Sequence, residues 1–149
     1  WAAVNDDRID VIATDHAPHT AEEKARLYAE APAGLPLVQH ALLTLFELVR
    51  AGIFRVETVV DKIAHAPARL FGIRDRGFIR EGYWADLVLV DPTTPTSNGP
   101  IFSKCGWSPF SDIVFGSRVR MTWVNGELRY RDGDLQTGSG GRALEFERR

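Results

Sequence analysis

The chain has 149 residues, 44% hydrophobic and 26% charged, with a formal net charge of -2. This is ordinary globular composition, enough for one domain-sized core but short of the roughly 250 residues of a complete (β/α)8 barrel. The charges are interspersed, so no basic stripe points to nucleic acid and no basic amphipathic helix to a membrane surface.

Ile9 to Thr14 reads as a buried parallel strand, apolar on both faces. It starts eight residues after Trp1. We expect it to be the last strand of a barrel whose earlier strands lie outside this sequence. Ala21 to Glu30 is a polar, helix-compatible excursion, and Ala31-Pro32-Ala33-Gly34 is a loop. Pro36 suits a first helical turn. Val38, Ala41, Leu42, Leu45, Phe46 and Val49 follow at helical spacing, with Gly52 as the stop. Gln39, His40 and Glu47 interrupt this helix, which is too short to span a bilayer. Glu57 to Ala64 continues as helix. Pro67 opens a short further helix, Ala68 to Phe71, closed by Gly72.

The character changes near Arg74. Phe78-Ile79 and Ala85 to Asp91 read as two short strands around a turn at Gly82. Asp91 to Pro100 is a loop. Val119 to Val124, Asn125-Gly126 and Glu127 to Tyr130 make a hairpin signal, because Asn-Gly fits a two-residue type I′ turn. Asp132-Gly133 is another turn. Gly138 to Arg149 is Gly- and charge-rich and reads as an extended, partly mobile tail. The expected fold class is α/β. Residues 1–73 supply the last strand and helices of a (β/α)8 barrel, and residues 74–149 part of a small β-sandwich. Cys105 is the single cysteine, so no internal disulfide can form, which favours a reducing, cytoplasmic setting.

The chemistry concentrates in Thr14-Asp15-His16-Ala17-Pro18-His19-Thr20. A carboxylate ending an apolar strand is costly unless paired, hydrogen-bonded or metal-bound. A lone Asp15 would read as an N-cap or a salt-bridged strand end. The His-Ala-Pro-His that follows shifts the reading to a catalytic acid/base at the C-terminal end of a barrel strand. Spacing alone leaves His19 open between a substrate-anion contact, a metal ligand and a surface histidine. His16 alternates to the side opposite Asp15 and reads as a packing or supporting group. Two histidines and a carboxylate do not close a zinc site, which takes three or four protein ligands. His40, His65 and Cys105 read as structural, Lys62 as an exposed helix residue, and Trp107 and Phe110 as core or interface aromatics.

The stretches Ile12 to Thr20 with Glu22-Glu23-Lys24, Ala31 to His40, Ala66 to Ile73, Gly82 to Val90 and Ser103 to Phe110 resemble dihydroorotases, cyclic amidohydrolases of pyrimidine synthesis. The resemblance covers nearly the whole chain, as the C-terminal third of a longer enzyme. It implies reversible, zinc-dependent hydrolysis of dihydroorotate to N-carbamoyl-aspartate, with a zinc pair activating a water. Asp15 matches the strand-eight carboxylate that binds metal and carries a proton from the attacking hydroxide to the leaving nitrogen. His19 matches the residue that hydrogen-bonds the substrate carboxylate. Ala33 and Gly34 match a loop whose backbone amides approach the same end of the substrate. The family's His-x-His, modified lysine and two further histidines have no counterpart in these residues. The chain alone is therefore expected to be inactive and to lack a tight binuclear zinc site. It is also expected to leave a strand edge and an apolar helix face exposed.

Three alternatives stand beside this reading. One is another cyclic amidohydrolase, dihydropyrimidinase-like or allantoinase-like, although a neutral ring gives His19 little to bind. Another is a non-catalytic dihydroorotase-like scaffold that supports aspartate transcarbamoylase. The third is a self-contained binding module. The expected partner is a small-molecule substrate, with neither nucleic acid nor membrane; a homodimer stays open.

Overall fold

A computed structural model describes residues 1–97, 99–138 and 140–147. Its helices are α1 (Ala2–Asn5), α2 (Ala21–Lys24), α3 (Ala41–Arg50), α4 (Val56–Val60) and α5 (Ala66–Phe71). A π-helical turn, Asp61–His65, joins α4 to α5. It sits directly before Pro67, whose ring would clash with the carbonyl four residues back in a regular helix. The N–H of Ala66 accordingly bonds to the carbonyl of Asp61, one residue farther back than in an α-helix.

The end of α5 follows the sequence reading. Gly72 closes α5 with a left-handed φ of 61°, which glycine adopts without a Cβ penalty. The helix expected after Pro36 starts later, at Ala41. Residues 21–30 are helical only over α2. The core lies where α1, α3 and α4 meet: Val4, Leu45, Phe54 and Val59 are buried, with Ile12, Leu48 and Ile63 packed on them.

The four strands β1 (Leu87–Asp91), β2 (Arg118–Val124), β3 (Glu127–Arg131) and β4 (Asp134–Leu135) form one antiparallel sheet in chain order. The Asn125-Gly126 turn has both φ values positive, 53° and 82°, as a type I′ turn requires. The chain is thus α/β with an antiparallel sheet. Phe78-Ile79 is not a strand, and Ile79 is exposed. Leu87, Val88 and Leu89 on β1 are exposed too, together with Leu70 and Phe71 of α5.

Ile9–Thr14 is likewise not a strand among the described residues, and Ile9 is exposed. A parallel strand exists only through ladders to its neighbours. Here Ile12 N–H bonds to the carbonyl of Lys62 at 3.1 Å, and a single parallel bridge joins His16 to Leu35. The C-terminal segment differs from the expected tail as well. Ile73 bridges Phe146, Arg74 N–H bonds to Glu145, and Glu147 N–H to Gly72, so residues 145–147 dock on the end of α5. Ser139, Arg148 and Arg149, part of that expected tail, lie outside the described residues.

Candidate functional site

The segment from Asp15 to Thr20 and the segment from Ala31 to Val38 are bound together by three contacts. Ala17 N–H donates to the carbonyl of Leu35 at 3.0 Å. Val38 N–H donates to Nδ1 of His16 at 3.2 Å. Gly34 packs so close to Ala17 that a Cβ there would lie 2.4 Å from that of Ala17, and its φ is +97°. Only glycine combines that approach with that backbone. The structure therefore brings together the neighbourhoods of Asp15, His19, Ala33 and Gly34.

Asp15 is exposed, with a left-handed φ of 46°. Aspartate tolerates this conformation better than most residues. The chain turns at Asp15 instead of continuing extended, so strand alternation does not decide which way His16 lies. His16 is nonetheless a supporting group, since its ring accepts the Val38 amide. No hydrogen bond or ion pair of the Asp15 carboxylate occurs among the described residues.

His19 begins a capped turn. The Thr20 hydroxyl accepts from Glu23 N–H at 3.2 Å, and the Glu23 carboxylate accepts from Thr20 N–H at 2.8 Å. This is the reciprocal cap that the Thr20-x-x-Glu23 spacing encodes. The Thr20 amide and hydroxyl hold the Glu23 carboxyl below its ordinary pKa, with His19 adding to the effect. Glu23 Oε2 stands 3.8 Å from His19 Nδ1, so a negative charge flanks the imidazole.

The amides of Ala33 and Gly34 donate to nothing among the described residues. Two adjacent free N–H groups, on a loop bound to the segment that carries His19, suit a carboxylate. Sequence reasoning missed two residues that shape this corner. Lys24 Nζ donates to the carbonyls of Pro32 at 2.8 Å and Gly34 at 3.1 Å. Trp107 Nε1 donates to the carbonyl of His19 at 2.8 Å. A side chain bonded to a distant carbonyl has no periodic or motif signature.

Among the described residues no group of three or more His, Cys, Asp or Glu is arranged to hold a metal. Asp15 offers one carboxylate, while His16 already uses Nδ1 on Val38. This chain's own residues therefore do not fit a binuclear metal site by themselves.

The remaining candidates are structural. His40 is buried, stacked on Phe115 with centroids 5.7 Å apart and hydrogen-bonded to Ser108. His65 stacks on Phe78 at 4.3 Å. Phe110 joins the His40–Phe115 cluster. Lys62 contradicts its reading as an exposed residue: its side chain is 4% exposed and its ammonium meets Asp7 Oδ1 at 2.5 Å. The π-helical turn faces it inward toward the segment before Ile9. The carboxylate, 84% exposed, reaches in from the surface to meet the charge.

Comparison with known proteins is consistent along the chain. Residues 47–130 match a family model described as the amidohydrolase family. A dihydroorotase of Clostridium acetobutylicum is 41% identical over 134 residues, covering 88% of this chain and 31% of that protein. A dihydroorotase of Halobacterium salinarum is 43% identical over 139 residues, covering 92% and 32%. The chain thus spans about a third of the length of the curated relatives it matches. Among solved structures, a D-hydantoinase (dihydropyrimidinase) from Thermus sp. superposes with a TM-score of 0.87 at 27% identity, over 99% of this chain and 34% of that one.

Proposed function

This chain belongs to the amidohydrolase family, and we propose that it forms the C-terminal part of a dihydroorotase. The whole protein would hydrolyse the cyclic amide of dihydroorotate reversibly to N-carbamoyl-aspartate. The observation that carries this reading is that the segment bearing Asp15 and His19 is bound to the loop bearing the two free amides of Ala33 and Gly34. That corner suits a substrate with a carboxylate as well as a scissile amide. The identity to named dihydroorotases over most of the chain supports the same choice.

In this reading His19 and the amides of Ala33 and Gly34 hold the substrate carboxylate. Asp15 accepts a proton from the attacking water as the carbonyl carbon gains its new C–O bond. It returns that proton to the ring nitrogen as the C–N bond breaks. Glu23, fixed by Thr20, flanks the His19 imidazole. Zinc, implied by the resemblance, would take its other ligands from residues outside this chain, with Asp15 as the one carboxylate offered here. Residues 1–73 then close a barrel, and residues 74–149 complete a β-sandwich. A cytoplasmic location belongs to the same reading; no helix of the described residues is long and apolar enough to cross a membrane.

The test is turnover by the full-length polypeptide that contains this chain. Hydrolysis of dihydroorotate with little turnover of hydantoin supports the reading. The reverse preference would move it to a hydantoinase-like enzyme, a second reading favoured by the superposition on the Thermus D-hydantoinase. Inactivity on both would favour the non-catalytic scaffold. The 149-residue chain alone is expected to be inactive, and robust turnover by it would refute that expectation.

A further inference from the structure

We propose that Lys24 and Trp107 are positioning residues for the substrate carboxylate, acting through the backbone they hold without touching the substrate. This rests on the reading of His19, Ala33 and Gly34 as the carboxylate-binding corner.

Lys24 ends α2, with its side chain half-buried and no carboxylate within ion-pair distance among the described residues. A half-buried ammonium is costly unless its donors are used. Both of its hydrogen bonds go to carbonyls of the Ala31–Gly34 loop, those of Pro32 and Gly34. Drawing two carbonyls two residues apart onto one point curls the loop around the ammonium. The peptide between Pro32 and Ala33 is trans, so its C=O and N–H point in opposite directions. Fixing Pro32 O on Lys24 therefore aims Ala33 N–H away from the lysine, into the free position observed for it. The close approach of Gly34 to Ala17 then fixes the loop against the His19 segment.

Trp107 acts on the other wall. Its indole N–H reaches the carbonyl of His19 from 88 residues away in sequence. The next amide, Thr20 N–H, is held by Glu23, and His19 N–H is held by the carbonyl of Ala17 at 3.0 Å. The His19 backbone is thus pinned before, at and after the residue, which leaves the imidazole only its side-chain torsions. Trp107 belongs to the C-terminal half of the chain, so that half contributes to the corner through one hydrogen bond.

The experiment uses the full-length polypeptide carrying Lys24→Met, Lys24→Arg or Trp107→Phe, with dihydroorotate as substrate. Loss of positioning removes binding that ground state and transition state share, which raises KM and spares kcat. Lys24→Met and Trp107→Phe should each raise KM about fivefold or more, with kcat within about twofold. Lys24→Arg, which keeps charge and donors, should recover most of the loss. Trp107→Phe keeps the ring packing, so it tests the idea even if Lys24→Met does not fold. An active wild type whose KM is unmoved by both variants overturns the proposal. So does a fall in kcat alone, or Lys24→Arg behaving like Lys24→Met. A wild type inactive on dihydroorotate overturns the underlying reading and this proposal with it.

Discussion

Gly34→Ala is the sharpest single probe of the site. The new Cβ would lie 2.4 Å from Ala17 Cβ, where carbon atoms pack best at about 3.5–4.0 Å. The two segments must part by about 1 Å, or the side chain stays overpacked at about 1–3 kcal/mol. The left-handed backbone at φ +97° adds about 1–2 kcal/mol for any residue with a Cβ. If the loop yields, a hydrogen bond from Ala33 or Gly34 to a carboxylate stretches past the distance at which it counts. A bond to a charged group is worth about 1.5–3 kcal/mol, so KM for dihydroorotate should rise roughly tenfold to a hundredfold. The companion variant is Ala17→Gly in the same background. It removes the clash and leaves the backbone cost, so the pair should couple by about 1–3 kcal/mol and recover only part of the loss. Urea denaturation and steady-state kinetics of the full-length polypeptide read both effects. A wild-type KM in Gly34→Ala, or a double variant no better than the single, would refute the geometry.

Asp15→Asn removes the proposed proton carrier and should lower kcat by about 10²–10⁴; a kcat within threefold of wild type, roughly, would end its assignment as acid/base. Asp7→Ala strands the buried Lys62 ammonium, whereas Lys62→Met leaves only an exposed carboxylate. Asp7→Ala should therefore lower the melting midpoint more, and the opposite order would count against a buried charge pair. The Lys62 hydrogen bond, then its charge, hold the Asp7 carboxyl below its ordinary value of 3.8. Its stabilising contribution is thus complete above that pH and lost as pH falls through the lower folded value. The midpoint gap between wild type and Asp7→Ala should accordingly close on acidification below pH 3.8, and a gap that widens there would reverse the sign. Gly77→Ala and Gly126→Ala share a left-handed φ, 79° and 82°, but only Gly77 meets backbone, the carbonyl of Ala64 at 2.8 Å. Gly126→Ala should cost about 1–2 kcal/mol and Gly77→Ala about 1–3 kcal/mol more; equal denaturation midpoints would refute the crowding at Gly77.

Much of this protein was legible in its residues wherever the deciding interactions are local. The apolar spacing of Leu42, Leu45 and Val49 announced α3, Gly72 the end of α5, and Asn125-Gly126 the turn between β2 and β3. Each depends on bonds between near neighbours and on the φ that a residue type allows. The run Thr14 to His19 marked the candidate site for a related reason, as polar groups presented at the end of an apolar run. Tertiary structure alone decided the rest. Ile9–Thr14 has strand composition, but no ladder forms among the described residues, because a strand needs a partner that its own sequence cannot supply. Lys62 carries the charge of a surface residue and is buried, because a distant Asp7 meets its ammonium. Lys24 and Trp107 look unremarkable in sequence and clasp carbonyls 8, 10 and 88 residues away. A backbone carbonyl is the same on every residue, so a hydrogen bond to one leaves no imprint on the identity of its partner.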